Sequence, residues 1–189
     1  MLQPNESIIE LCHVVRDMDG AIRYWTDVAG AGPFFVGDME FPEGYRHRGK
    51  PCGLSLQIAF GFSGGLIIEL VRPIDRRVPS VFSEVLDSRG PGYHHVMLRD
   101  DYDKGFGRLS RAGYEPAYEG RLPSGERCVL FDTRRDSGGF VEFMDISRSS
   151  SASSITWRAR IASGTGVPIP SGPWPAPSPE RRLPRKRSP

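Results

Sequence analysis

Two stretches of this chain, residues 7–73 and 92–148, run through the same succession of short apolar segments, and that repeat constrains the fold most. In the first, Ile8 to Val15 reads as a strand, and Arg16-Asp17-Met18-Asp19 supplies an acidic helix start. Ala21, Ile22, Trp25 and Val28 then recur at helical spacing, and Gly30 and Gly32 close the helix. Strands follow at Pro33-Phe34-Phe35-Val36, Leu54 to Phe60 and Leu66 to Arg72, the last two joined by a Gly64-Gly65 turn. In the second stretch, Tyr93 to Arg99 is a strand, and Asp100 to Asp103 caps a short helix that ends at Gly113. Glu115 to Glu119, Arg127 to Phe131 and Phe140 to Ile146 are three further strands. Pro79 to Leu86 fits a connecting helix, and the polar stretch around His47 reads as loop. The order βαβββ occurs twice. It predicts an α+β fold of two tandem modules whose curved mixed sheets share a core and enclose a cleft.

Composition separates this body from a tail. From Ser149 onward lie eight of the 17 prolines, seven basic residues and one acid, a local charge of +6 that leaves residues 1–148 at −4. The tail, 149–189, carries too little apolar surface to bury and reads as disordered. The alkaline balance is therefore a property of the tail, and no basic face of the body points to nucleic acid. Cys12, Cys52 and Cys128 are odd in number and show no CxxC spacing, which favours a reducing compartment. No signal-like or membrane-length apolar run is visible, so the expectation is a cytoplasmic protein without a membrane partner.

Two carboxylates break the apolar pattern. Glu69 lies within Leu66-Ile67-Ile68-Glu69-Leu70-Val71, and Glu142 within Phe140-Val141-Glu142-Phe143-Met144. An ionised carboxylate in an apolar interior costs several kcal/mol unless paired or bound to a cation. Each follows a strand carrying a histidine, His13 before Glu69 and His95 before Glu142, at separations of 56 and 47 residues. Strand alternation puts His13 with Leu11 and Val15, opposite Cys12 and Val14, and puts His95 with Tyr93, Met97 and Arg99. It also lets only one of His94 and His95 face a cleft. Taken singly, such residues are more often core histidines and edge glutamates. Their recurrence at matching places in the repeat favours one site, in which His13, Glu69, His95 and Glu142 hold a divalent metal ion (Zn, Ni, Co, Mn or Fe).

The stretches from Leu11 to Trp25, Gly92-Tyr93-His94-His95-Val96 and Gly139-Phe140-Val141-Glu142-Phe143 resemble the vicinal oxygen chelate superfamily of glyoxalases, extradiol dioxygenases, bleomycin-resistance proteins and epimerases. The resemblance covers residues 7–148. It implies His95 rather than His94 as the ligand, a small-molecule substrate and a homodimer. It also implies a metal-dependent isomerase or lyase, in which a polarised carbonyl or thioester oxygen favours enolisation and Glu69 or Glu142 moves the proton. Epimerase-like members carry a second acid near the position of Gln57, and an amide cannot accept a proton there. Gln57, Phe34, Phe35, Phe131 and Arg127 are the substrate-binding candidates, with Phe140 as a further aromatic and Arg99 as a second cation. The alternatives are an iron-dependent extradiol-type dioxygenase and a non-enzymatic binding protein of the resistance type.

Overall fold

The computed structural model describes residues 8–122 and 125–145. Its elements, in order, are β1 (Ile8–Val14), α1 (Met18–Asp27), β2 (Phe35–His47), β3 (Lys50–Ser63), β4 (Leu66–Pro73), α2 (Val81–Ser88), β5 (Gly92–Leu98), α3 (Tyr102–Arg111), β6 (Pro116–Arg121), β7 (Arg127–Asp132), α4 (Arg134–Ser137) and β8 (Phe140–Met144). The mixed sheet curls into one closed barrel in the order β1-β4-β3-β2-β6-β7-β8-β5. Pairs β1/β4 and β5/β8 are parallel, and each is joined by the long connection that parallel pairing requires. Closure comes from two antiparallel seams, β1 against β5 and a short contact of Arg46 and His47 on β2 with Glu119 and Tyr118 on β6. The interior is therefore completed within a single chain.

Local chemistry accounts for the helix starts. Asp17 accepts from the Gly20 amide at the head of α1, and Asp101 accepts from the Lys104 amide at the head of α3. At α2, Ser80 and Ser83 cap each other reciprocally. Strand ends depart from expectation more. The stretch read as a loop around His47 continues β2, because Arg48 and Gly49, both at positive φ, make a tight turn directly into β3. His47 is consequently a strand residue, with Nε2 2.7 Å from Glu84 Oε1 on α2. The Gly64-Gly65 turn is as expected, while the short α4 carries no apolar periodicity from which to foresee it. The final residue expected in β8, Ile146, and the tail lie outside the described residues.

The barrel has one inner layer and two outer ones. Inside, Val14, Leu56, Ile58, Phe60, Val71, Met97 and Leu130 form a continuous core reached by Phe82 and Leu86 of α2. Outside, α1 covers Ala59, Ile68 and Leu70, and α3 covers Val129, Phe131 and Phe143. An eight-stranded barrel is just wide enough to be filled by side chains or to hold one small ligand. This one leaves a cavity of about 60 Å³ among its inner side chains.

Candidate metal centre

Glu69, His95 and Glu142 meet inside the barrel, where β4, β5 and β8 each turn one side chain inward. A fourth residue, Glu10 of β1, joins them. His95 Nε2 lies 3.5 Å from Glu10 Oε1, 3.4 Å from Glu69 Oε2 and 2.9 Å from Glu142 Oε2. All four are buried, with 0% of Glu10, 6% of Glu69, 2% of His95 and 4% of Glu142 exposed. His95 Nε2 thus faces all three carboxylates at once, with its shortest contact to Glu142.

The histidine pair explains that orientation. His94 Nε2 is 3.2 Å from the Val81 carbonyl, which can only accept, so His94 donates there and keeps a lone pair on Nδ1. His95 Nδ1, 2.8 Å from His94 Nδ1, must then be the donor. The remaining His95 nitrogen, Nε2, faces the carboxylates with either a lone pair or a second proton. Burial holds His94 well below the usual imidazole range, with the charge of His95 adding to the effect, so it stays neutral. For His95, burial opposes the cation, but hydrogen bonds to Glu10 and Glu142 and the charges of Glu142 and Glu69 outweigh it and raise the group to about 10. Both histidines are buried, and of the two only His95 lines the cavity. A bulge where β1 meets β5, between Cys12 and His13, breaks strict alternation, and α2 receives His94 stacked between Phe82 and Phe140.

Two thiols sit behind the carboxylates. Cys128 Sγ donates to Glu142 Oε1 at 3.3 Å. Burial, the charges of Glu69 and Glu10 and a hydrogen bond to Glu69 push the Cys12 thiol well up, so it too stays protonated and can donate. These donors orient the carboxylates without neutralising them. Three carboxylates against one imidazole leave negative charge in an apolar interior, at several kcal/mol for each uncompensated group. A divalent cation is the compensation the donor set fits. Adjacent ligands at about 2.1 Å from an octahedral ion are about 3.0 Å apart, and the contacts to His95 Nε2 lie near that spacing. Ligand atoms of Glu10, Glu69 and His95 also all fall within 4.8 Å of one another.

The other expected site residues are elsewhere. His13 does share a face with Leu11 and Val15, but that face is the outside of the barrel. Its ring packs edge-on against Trp25 of α1 at 5.1 Å, and burial lowers its basicity. Alternation identified companions correctly and could not say which side of β1 was the interior. Gln57 likewise points out and accepts from Arg72 Nε at 3.0 Å. Phe34 packs beneath α1 with Ala59 and Ile68, and Phe35 flanks the inner core without lining the cavity. Phe131 is on the outer face against Phe106 of α3. Arg127 lies on the surface between Asp103, at 2.7 Å, and Asp145, at 2.8 Å. Arg99 is exposed, and Phe140 is inside but covered by the His94 ring. Glu10 was missed although it breaks the apolar run Ile8-Ile9-Glu10-Leu11-Cys12 just as Glu69 breaks its own.

The sequence pattern of the Glyoxalase/Bleomycin resistance protein/Dioxygenase superfamily matches residues 11–131. The chain belongs to that superfamily. Glu10 and Glu142 lie just outside the matched stretch. Among solved structures, the chain is similar to the hypothetical protein BH1468 from Bacillus halodurans C-125, with a TM-score of 0.55 and 16% identity over 75% of this chain and 94% of that one. It is similar as well to methylmalonyl-CoA epimerase from Mycobacterium tuberculosis, with a TM-score of 0.52 and 21% identity over 81% of this chain and 97% of that one. At these identities the likeness is one of fold. No curated protein sequence matches significantly. Among the described residues, no helix is long and apolar enough to cross a membrane.

Proposed function

We propose that the protein is a metal-dependent isomerase or lyase acting on a small carbonyl compound, with Glu10, Glu69, His95 and Glu142 holding the ion. The observation that carries this reading is the convergence of three buried carboxylates on His95 Nε2 at 2.9–3.5 Å. A bound divalent ion supplies Lewis acidity toward a substrate carbonyl. With Glu10 in place of His13, the donor set is richer in oxygen and suits a harder ion such as Mn²⁺ better than Zn²⁺. It also differs from the two-histidine, one-carboxylate set of ring-cleaving iron enzymes.

The protein's own groups divide the work. Glu142 is held at both oxygens, Oε2 by His95 and Oε1 by Cys128, and acts as an anchor. Glu69 makes a longer contact to His95, 3.4 Å, and is the most exposed of the three. It is the base that takes the proton beside the carbonyl, a role worth about 10²–10⁴ in rate. An epimerase of the two-base type is not favoured, because Gln57 faces away from the cavity and among the described residues Glu69, His95 and Glu142 gather on one side of it. The repeated element order further supports reading residues 7–73 and 92–148 as two related modules.

The test is elemental analysis of protein purified without chelators, followed by proton exchange at the carbon next to the carbonyl of hydroxyacetone in heavy water. Stoichiometric metal and metal-dependent exchange are expected. Protein that neither retains nor takes up a divalent ion overturns the proposal.

A further inference from the structure

Opposite the carboxylates, the cavity wall carries two tyrosines that the site described so far does not use. Tyr45 of β2 and Tyr118 of β6 stack at 5.3 Å, across the short seam that closes the barrel. They are 2% and 4% exposed, and neither hydroxyl has a hydrogen-bond partner among the described residues. Buried phenols usually find such a partner, so two unpaired ones side by side are unexpected. The backbone makes room for this arrangement: a Cβ at Gly120 would overlap the Tyr45 ring. Burial, with the neighbouring Cys128 thiol, keeps both phenols above their ordinary range, and Glu142 contributes for Tyr118. Both are therefore hydrogen-bond donors at neutral pH.

The remaining wall restricts what can be donated to. Among the described residues its polar groups are Tyr45, Tyr118, Glu69, His95, Glu142 and Cys128; every other described lining side chain is apolar, and none is Lys or Arg. Three carboxylates with one divalent ion leave a net negative site, which repels an anion strongly in a low-dielectric interior.

We propose that Tyr45 and Tyr118 bind the substrate's oxygen across the cavity from the carboxylate cluster, and that the substrate there is a small uncharged carbonyl compound rather than an oxyacid. This rests on the metal reading above. It deepens that reading by naming the residues and the charge class that determine specificity. A cavity of about 60 Å³ suits a molecule of only a few heavy atoms.

The test titrates hydroxyacetone, and pyruvate as an anion of similar size, into metal-loaded protein by calorimetry. Hydroxyacetone is expected to bind about tenfold or more tightly than pyruvate. Y45F and Y118F are each expected to weaken hydroxyacetone about fivefold. Both variants should keep the wild-type metal affinity and, lacking an unpaired buried hydroxyl, unfold no earlier than wild type when unliganded. Pyruvate binding as tightly as hydroxyacetone overturns the charge assignment. Unchanged hydroxyacetone affinity in both variants, or a lowered unfolding midpoint in the unliganded variants, overturns the tyrosine assignment, and so does failure of hydroxyacetone to bind loaded wild type. Each of these leaves the metal reading standing, whereas wild type that takes up no metal overturns that reading first.

Discussion

The Nδ1 atoms of His94 and His95 lie 2.8 Å apart, and the direction of that hydrogen bond is set by a backbone carbonyl of α2, 13 residues before His94 in sequence. Val81 fixes the tautomer of His94, which fixes that of His95, which aims Nε2 at Glu10, Glu69 and Glu142. The connecting helix, which looked like a mere link, thereby orients a group in the barrel centre.

Replacing His94 by Phe preserves a ring between Phe82 and Phe140 but removes the acceptor for His95. Metal affinity is expected to fall about 10–100-fold, as when the partner of a ligating imidazole is lost. Isothermal titration with Mn²⁺ measures it, and an affinity equal to wild type would contradict the relay.

Glu10 and His13 make opposite predictions three residues apart. Glu10→Gln should abolish stoichiometric metal binding. His13→Ala should bind metal normally while losing about 1–2 kcal/mol of stability, because its ring packs α1 onto the barrel through Trp25. Metal content and denaturant unfolding of the two variants separate the roles; retained metal in Glu10→Gln counts against the assignment.

Within the cluster, Glu69→Gln and Glu142→Gln should differ. Both are expected to lose proton exchange, by about 10²-fold or more for Glu69. Of the two, only Glu142→Gln should lose metal outright, since it removes the anionic group that makes the shortest contact to His95. Equal metal retention in the two would argue against an anchor-and-base division.

Acid should loosen the barrel through Asp132. Burial opposes its charge, but hydrogen bonds from Arg134 and Arg48 outweigh burial and hold the carboxyl below the usual range. A depressed folded-state value contributes stability that is present above the unfolded value near pH 4 and is lost as pH falls toward the folded one. Asp132→Asn should remove that part of the acid sensitivity, at most about 1 kcal/mol after solvent screening. Urea midpoints of both proteins between about pH 6 and pH 2.5 report it; parallel curves would contradict it.

Gly120 offers a packing test. Alanine there is expected to cost about 1–3 kcal/mol by forcing the Tyr45 ring from its place against Tyr118. Thermal unfolding measures this, and an unchanged midpoint would show the ring to be free to move.

Much of this was legible in the chain itself. Alternation, glycine turns and helix caps are local, so the order of strands and helices and the residues that share a face with Glu69, His95 and Glu142 follow from residues close in sequence. The energetic cost of a carboxylate in an apolar run pointed at Glu69 and Glu142, and applied evenly it points at Glu10. The tertiary structure decided what alternation leaves open. It chose which face of β1 is the inside, exchanging His13 for Glu10, because only barrel closure against β4 and β5 defines an interior. It turned Gln57, Phe131 and Arg127 outward for the same reason. It also brought Tyr45 and Tyr118 together from strands that meet only at a seam, a relation between distant segments that no local pattern encodes.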